Sequence, residues 1–162
     1  MMGKVYSLTE LKEQRKQWKQ EHKTVVFTNG VFDILHRGHV EYLTAAKALG
    51  DLLVVGVNSD SSVKKIKGPL RPIVTDSDRA FLLSQLACVD AVCLFDEETP
   101  YELISALVPD VLVKGADYTV DAIVGREVVE KAGGKVKTIP FVPDRSTTNI
   151  IETIVQRFSK RM

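Results

Sequence analysis

Five short predicted strands, each followed by a helical pattern, constrain this chain to an α/β fold. They cover residues 24–28, 52–57, 91–95, 111–113 and 136–139, and all but the last are largely apolar runs. A continuous rather than alternating apolar run is typical of a strand buried on both faces, as in a parallel sheet. With helical crossovers between them, these runs predict a right-handed, doubly wound, five-stranded parallel sheet with helices on both faces.

Capping signals and helical spacing place helices between the predicted strands. Ser7 and Glu10 form a capping box that opens an N-terminal helix, and we expect residues 1–22 to be a helical extension on the domain surface. Residues 58–72 are predicted to form a loop. Helices are predicted after His39 and over 75–87, 100–107, 123–132 and 148–158. No repeat or linker divides the sequence, so we expect one domain over 1–162.

Length and composition favour a single globular enzyme domain. A chain of 162 residues can bury a full core without disulfides. A formal net charge of +1 shows no excess of basic residues of the kind that binds nucleic acid, so no nucleic-acid partner is expected. The two cysteines are expected to be small buried hydrophobes in a reducing compartment. No apolar run approaches the length of a membrane span and no signal peptide is recognisable, so the expected location is the cytoplasm, with no membrane partner.

The turn after the first apolar run concentrates side chains that handle phosphate. Residues 30–39 are Gly-Val-Phe-Asp-Ile-Leu-His-Arg-Gly-His. A strand, a glycine-containing turn and a helix N-terminus direct free N–H groups and the helix dipole at an anion. His36 and His39 add donors for charge that develops on phosphate oxygens. In the predicted site, Asp33 orients a neighbouring backbone or histidine group, and the turn is lined by Thr28, Asn29, Gly30, Phe32 and Gly38.

Other interpretations of this stretch stay open. Asn29-Gly30 is typical of a hairpin turn, although the helical pattern follows too soon to leave room for a return strand. Asp33, His36 and His39 could ligate a metal, but zinc takes three or four protein ligands and only one other histidine is present. Either histidine could also simply cap the helix.

Three further clusters follow predicted strands, whose carboxyl ends are where ligands of such sheets bind. In the first, Lys64, Lys67 and Arg71 lie in the predicted loop and could close over a polyanionic substrate. Arg79, on an exposed turn of the next helix, could reach the same pocket. The alternative for this cluster is an ordinary solvated surface loop.

The second cluster comes directly after the fourth predicted strand. It offers Lys114 to the nucleotide, Asp117 to a sugar hydroxyl or the nucleotide, and Tyr118 as an apolar wall with a polar tip. An ordinary strand-to-helix loop is the alternative.

The third cluster opens the last predicted helix. Arg145 and the hydroxyls of Ser146, Thr147 and Thr148 could form a second anion site with the helix N–H groups. The alternative is that these residues are only N-caps.

These residues resemble the HxGH signature of the cytidylyltransferase-like nucleotidylyltransferases. The match is His36-x-Gly38-His39 preceded by Gly30-x-Phe32-Asp33. The resemblance implies a Rossmann-like fold in which both histidines lie against the phosphates of a nucleoside triphosphate and stabilise the transition state at the α-phosphate. The third cluster resembles the family element ISSTxxR but departs from it. Arg145 stands where isoleucine is expected, and Ile151 replaces the final basic residue.

Within that family, the chain is similar to the adenylyltransferases of ADP-heptose synthesis. The similarity covers residues 24–154 and lies in FTNGVFDILHRGH, in NSDSSVKKIKG followed by RP, in LVKGADY and in STTNII. It implies transfer of AMP from ATP to D-glycero-β-D-manno-heptose 1-phosphate, giving ADP-heptose and pyrophosphate for lipopolysaccharide or another surface glycan. It further implies Mg²⁺ with the ATP, a homodimer, and a stand-alone form without the sugar kinase domain found fused in many bacteria.

On this resemblance, His36 and His39 act on the α-phosphate, and Lys67, Lys64 and Arg71 close over the phosphates of either substrate. Arg145 and the start of the last helix bind the leaving pyrophosphate. Two rival functions stay open: a cytidylyltransferase for a polyol or amino-alcohol phosphate such as glycerol 3-phosphate, and a nucleotide-binding regulatory module without turnover.

Overall fold

A computed structural model describes residues 3–140 and 146–159 of the chain. The strands are β1 (Lys4–Tyr6), β2 (Val25–Gly30), β3 (Leu52–Asn58), β4 (Ala91–Phe95), β5 (Val111–Gly115) and β6 (Lys135–Ile139). The helices are α1 (Leu8–Gln20), α2 (Arg37–Lys47), α3 (Asp60–Lys67), α4 (Asp76–Ser84), α5 (Tyr101–Leu107), α6 (Arg126–Lys131) and α7 (Thr147–Phe158), with a 3₁₀ turn at Val120–Ala122. None of the helices in these two ranges is long and apolar enough to cross a membrane.

The strands form one parallel sheet in the order β1-β4-β3-β2-β5-β6. This confirms the predicted α/β class and parallel sheet, with six strands instead of five. The additional strand, Lys4–Tyr6, is only three residues long and pairs at the edge with β4. It is half-exposed, so it lacks the apolar run that marks β2 to β5. Strand β6, at the opposite edge, is also largely exposed, which differs from the buried strand expected there.

The N-terminal segment is integrated into the fold, which differs from the expected surface extension. The capping box at Ser7 and Glu10 forms as predicted and starts α1. Leu11 and Trp18 on α1 are buried in the same apolar cluster as Phe27 of the central strand. The segment therefore supplies both an edge strand and part of the core.

Alternate residues of β2 enter two apolar clusters on opposite faces of the sheet. Val25 and Phe27 pack with residues of α1 and α5, whereas Val26 packs with Leu43 of α2 and Leu83 of α4. Burial on both faces explains why this strand is a continuous apolar run.

The direction of winding reverses between β2 and β5. From β2 the chain proceeds through β3 and β4 on one side, while β5 and β6 lie on the other. In open parallel sheets, ligands bind outside the carboxyl ends of the strands at such a switch point. This position is the mouth of the turn that follows β2.

Candidate active site

A cavity of about 640 Å³ opens at the carboxyl ends of the strands. Most of the residues expected at the site line it: Asn29, Gly30, Phe32, Asp33, His36, Gly38, His39, Lys67, Arg71, Lys114, Asp117, Tyr118, Ser146, Thr147 and Thr148. The structure thus brings together the turn after β2 and parts of all three later clusters. Three expected residues, Thr28, Lys64 and Arg79, do not line the cavity. Arg145 lies outside the described residues.

His36 and His39 form a stacked pair at the start of α2. Their ring centroids are 3.8 Å apart and their planes differ by 21°. His36 is the N-cap residue and His39 follows three positions later, so the helix start itself brings the rings together. The segment after Gly30 leads into this helix rather than into the return strand of a hairpin.

The ring of Phe32 packs edge-on against His39, with 5.2 Å between centroids. Phe32 has a φ of 49°, a left-handed conformation that is strained for a bulky residue. The same ring fills the space beside Gly30, where a Cβ atom would lie 2.9 Å from it. Glycine at position 30 therefore lets Phe32 support the histidine pair.

Burial, with a smaller contribution from His36, lowers the pKa of His39 to about 4. At neutral pH the His39 imidazole is therefore uncharged, with one nitrogen as donor and the other as acceptor. Its Nδ1 is buried and has no hydrogen-bond partner among the described residues. Because a buried polar atom normally has a partner, this nitrogen fits a site completed by a ligand.

Asp33 holds the segment after α3 against the first turn. Its carboxylate is buried and accepts hydrogen bonds from Arg71 Nε at 2.5 Å, Ile73 N at 2.8 Å and Val74 N at 2.9 Å. Burial alone would raise the pKa of Asp33, but the two backbone N–H groups and Arg71 outweigh it and lower the pKa. These donors occupy the carboxylate, so it is not available as the third ligand of a zinc site.

The expectation that Arg79 reaches the pocket from an exposed turn is wrong. Arg79 is fully buried and donates to the carbonyl oxygens of Val74, Val31 and Asn58 at 2.7–2.9 Å and to Asp60 at 2.8 Å. A buried guanidinium needs such partners, and here all of them come from the protein. Arg79 therefore joins the segments beneath the site and is not exposed to substrate.

Residues 60–67 form helix α3, where a loop was predicted. Ser59 caps the helix through its side chain, and Gly68 ends it with a φ of 94°. Lys67, in the last turn, and Arg71 line the cavity. Lys64, almost one turn nearer the helix start, is exposed and lies outside it.

The carboxyl end of β5 contributes a buried cation. The Lys114 ammonium group donates to Asn29 Oδ1 and lies 5.4 Å from the ring centroid of Tyr118. Burial lowers the pKa of Lys114 to about 8, although the nearby charge of Asp117 acts in the opposite direction. Lys114 is the most deeply buried lysine of the cavity wall. Because its pKa is close to neutral, burial and nearby charges decide whether its ammonium group is protonated.

The first turn of α7 forms the remaining wall. The Ser146 side chain accepts a hydrogen bond from Asn149 N at 3.1 Å, so Ser146 is the N-cap. Thr147 Oγ1 donates to the carbonyl oxygen of Ile34 at 3.4 Å. This contact brings a second helix N-terminus to the cavity that holds the histidine pair.

Several cavity residues were not predicted from the sequence: Val31, Tyr42, Asn58, Ile66, Glu98, Thr99, Pro100 and Val124. Tyr42 lies three positions after His39 on α2, a spacing that could have identified it. Its hydroxyl is hydrogen-bonded to Thr28 Oγ1 at 2.8 Å, so Thr28 lies buried behind the wall. Glu98 follows the carboxyl end of β4, where the position of ligand sites in parallel sheets could have indicated it.

The cavity lies at the edge of a doubly wound parallel sheet and is surrounded by two helix N-termini, a histidine pair and several cations. These features define a nucleotide-binding α/β protein that handles phosphate. Comparison with known families narrows this class. The cytidylyltransferase-like family model matches residues 27–156. The chain belongs to this family of nucleotidyltransferase enzymes.

Curated relatives include several proteins named bifunctional protein HldE. The protein of Trichlorobacter lovleyi is 56% identical over 137 residues, which are 85% of this chain and 28% of that protein. The Syntrophotalea carbinolica and Geobacter sulfurreducens proteins are each 55% identical over 142 residues, 88% of this chain and 29% of theirs. The chain thus spans less than a third of the length of these relatives.

A solved structure supports the fold assignment. The lipopolysaccharide core biosynthesis protein from Thermoplasma volcanium is 34% identical and superposes with a TM-score of 0.59. The match covers 74% of this chain and 97% of that one.

Proposed function

We propose that the protein transfers AMP from ATP to D-glycero-β-D-manno-heptose 1-phosphate, giving ADP-heptose and pyrophosphate. The observation that carries this proposal is the convergence of Lys67, Arg71 and Lys114 on the cavity that holds the stacked histidine pair. Two phosphorylated substrates need such a concentration of donors. Support for the heptose substrate comes from the motif resemblance and from more than 50% identity to the HldE proteins.

The proposed reaction needs no protein nucleophile. A phosphate oxygen of the sugar attacks the α-phosphorus of ATP, and the bond from that phosphorus to the bridging oxygen breaks as pyrophosphate leaves. Catalysis then consists of positioning and charge stabilisation. His36 and His39 would contact the α-phosphate, and the N-terminus of α7 at 146–148 would bind the leaving end.

Magnesium would enter as part of the MgATP substrate and neutralise charge on the triphosphate. An ion of this kind keeps several waters and is held mainly by substrate phosphates, so it needs no dedicated cage of side chains. Within residues 3–140 and 146–159, no group of three or more histidine, cysteine or acidic side chains is arranged to hold a metal.

The direct test is pyrophosphate release with Mg²⁺, supplying ATP and CTP separately against heptose 1-phosphate and against glycerol 3-phosphate. We expect release with ATP and heptose 1-phosphate. Release with CTP and glycerol 3-phosphate would instead support the cytidylyltransferase alternative. ATP binding without release under any sugar phosphate would support the regulatory module.

Variants His36→Ala and His39→Ala connect the activity to this cavity. Loss of a transition-state donor is expected to lower kcat by about tenfold to a thousandfold. Circular dichroism of both variants checks that the fold is retained. Near-wild-type rates in both would refute the proposed role of the histidine pair.

The proposal includes a homodimer in the cytoplasm, where ATP and sugar phosphates are available. Support for a dimer comes from α7, whose side chains Ile154, Val155 and Phe158 are each about half exposed. A second copy could cover this apolar face. Light scattering of the purified protein would distinguish a dimer from a monomer.

A further inference from the structure

The strand order arranges the chemical groups of the cavity in a line. Glu98 follows β4, Lys67 ends the helix after β3, the histidine pair follows β2, and Lys114 and Asp117 come at the end of β5. Since the strands lie in the order β4-β3-β2-β5, cationic or phosphate-binding groups occupy the middle and a carboxylate stands at each end.

The two end carboxylates are poor neighbours for phosphate but good acceptors for hydroxyl groups. Asp33, the third carboxylate of the cavity wall, is already occupied by Arg71 and two backbone N–H groups. The line of groups therefore matches a molecule with hydroxyls at both ends and a diphosphate between them. A nucleotide sugar has this arrangement.

The nucleoside belongs at the β5 end. The reversal of winding lies between β2 and β5, which is where nucleotides bind in sheets of this kind. Tyr118, next to Asp117 in the sequence, lines the cavity with its side chain about half exposed and offers an aromatic face on which a base can stack. The β4 end, with Glu98 and Thr99, is left for the acceptor sugar.

The loop that carries Glu98 is hydrogen-bonded to the start of α3, the helix that carries Lys67. Ser59 N donates to the carbonyl oxygen of Phe95 at 2.9 Å, and Ser62 Oγ donates to that of Glu97 at 2.7 Å. The backbone that carries Glu98 is therefore held beside the helix that carries Lys67. A sugar phosphate likewise carries hydroxyl groups and a phosphate on one small molecule.

We propose that Glu98 determines acceptor specificity by accepting hydrogen bonds from the hydroxyls of the sugar, beside the phosphate-binding Lys67. This inference rests on the proposed function and adds to it the position and the recognition chemistry of the acceptor.

The test measures binding of ADP and of ADP-mannose by calorimetry to the wild type and two variants. Glu98→Gln removes the charge with little change of shape. Glu97→Gln makes the same change one residue away, outside the cavity wall. Glu98→Gln is expected to weaken ADP-mannose about tenfold to a hundredfold, the scale of a lost charged hydrogen bond, and to leave ADP within twofold. Glu97→Gln is expected to change neither.

Unchanged ADP-mannose binding in Glu98→Gln, or equal weakening of ADP, would overturn the inference. The same titrations with CDP and CDP-glucose separate it from the proposed function. If the protein prefers cytidine nucleotides, adenylyl transfer is wrong, yet a selective loss of CDP-glucose binding in Glu98→Gln would still support the acceptor subsite. Faster pyrophosphate release with phosphoethanolamine than with any sugar phosphate would contradict the recognition of hydroxyl groups.

Discussion

At the scale of single residues, the partners of a buried charge separate structural from functional groups. The charged groups of Asp33 and Arg79 are surrounded by protein donors and acceptors. The Lys114 ammonium group is also buried, but it donates to Asn29 at the edge of the cavity and can still accept a phosphate as partner. Sequence alone could not distinguish these cases, because burial and partners depend on the assembled fold.

The lowered pKa of Lys114 predicts a pH dependence of activity. As pH rises through about 8, the free enzyme loses this positive charge. Above that pH, kcat/KM for ATP should fall about tenfold per unit, since this ratio reports groups of the free enzyme. Lys114→Arg should abolish the fall, because arginine stays protonated. Lys64→Arg, outside the cavity, is the matched control. An identical fall in Lys114→Arg would assign the ionisation to another group.

At the scale of elements, the motif at residues 30–39 and its place between a strand and a helix predicted the turn after β2. The helix that follows β3 was not predicted. Gly68 and the prolines that follow it indicated a loop over the whole of residues 58–72, whereas these residues come after the helix has ended. Helix α3 has only eight residues, and it is stabilised by its Ser59 cap and the buried Val63. Short helices depend on such tertiary packing, which periodicity does not report.

The contact between Asp33 and the 71–74 segment is expected to couple stability to substrate binding. Asp33→Asn should lower the free energy of unfolding by about 1–3 kcal/mol, because buried donors lose their charged partner. It should also raise KM about tenfold, since Arg71 is no longer held at the cavity. Urea unfolding and steady-state kinetics measure the two effects.

Asp110→Asn is the matched control for that experiment. Asp110 accepts from Arg15 and from Val25 N at the amino end of the sheet, away from the cavity. It should lower stability and leave KM unchanged. A KM change of equal size in both variants would show that Asp33 acts only through global stability.

At the scale of the whole molecule, the sheet could be predicted because most of its strands are buried on both faces. Edge strand β1 could not, since three half-exposed residues carry no such pattern. Amphipathicity identified helix α1 but not how completely its apolar side chains are buried. The preceding strand β1 pairs with the sheet, which holds the helix against the core. Arg145, predicted from the cluster that opens the last helix, lies outside the described residues and stays a prediction.

Two leucines of α1 test whether this helix belongs to the core. Leu11 is fully buried, whereas Leu8 is about 40% exposed. Leu11→Ala should cost about 2–5 kcal/mol of unfolding free energy. Leu8→Ala should change it by no more than about 0.5 kcal/mol. Chemical denaturation measures both. Equal small effects would return α1 to the role of a surface extension.

Helix α7 has no buried residue, and its first turn opens on the cavity. A helix of this kind derives little local stability from the core, so its amides should exchange with solvent through local unfolding. A triphosphate held at its N-terminus would then stabilise it, by about 2.7 kcal/mol at a hundred times the dissociation constant. Amide exchange in α7 should therefore slow on ATP binding, which makes the last helix a reporter of whether the site is filled.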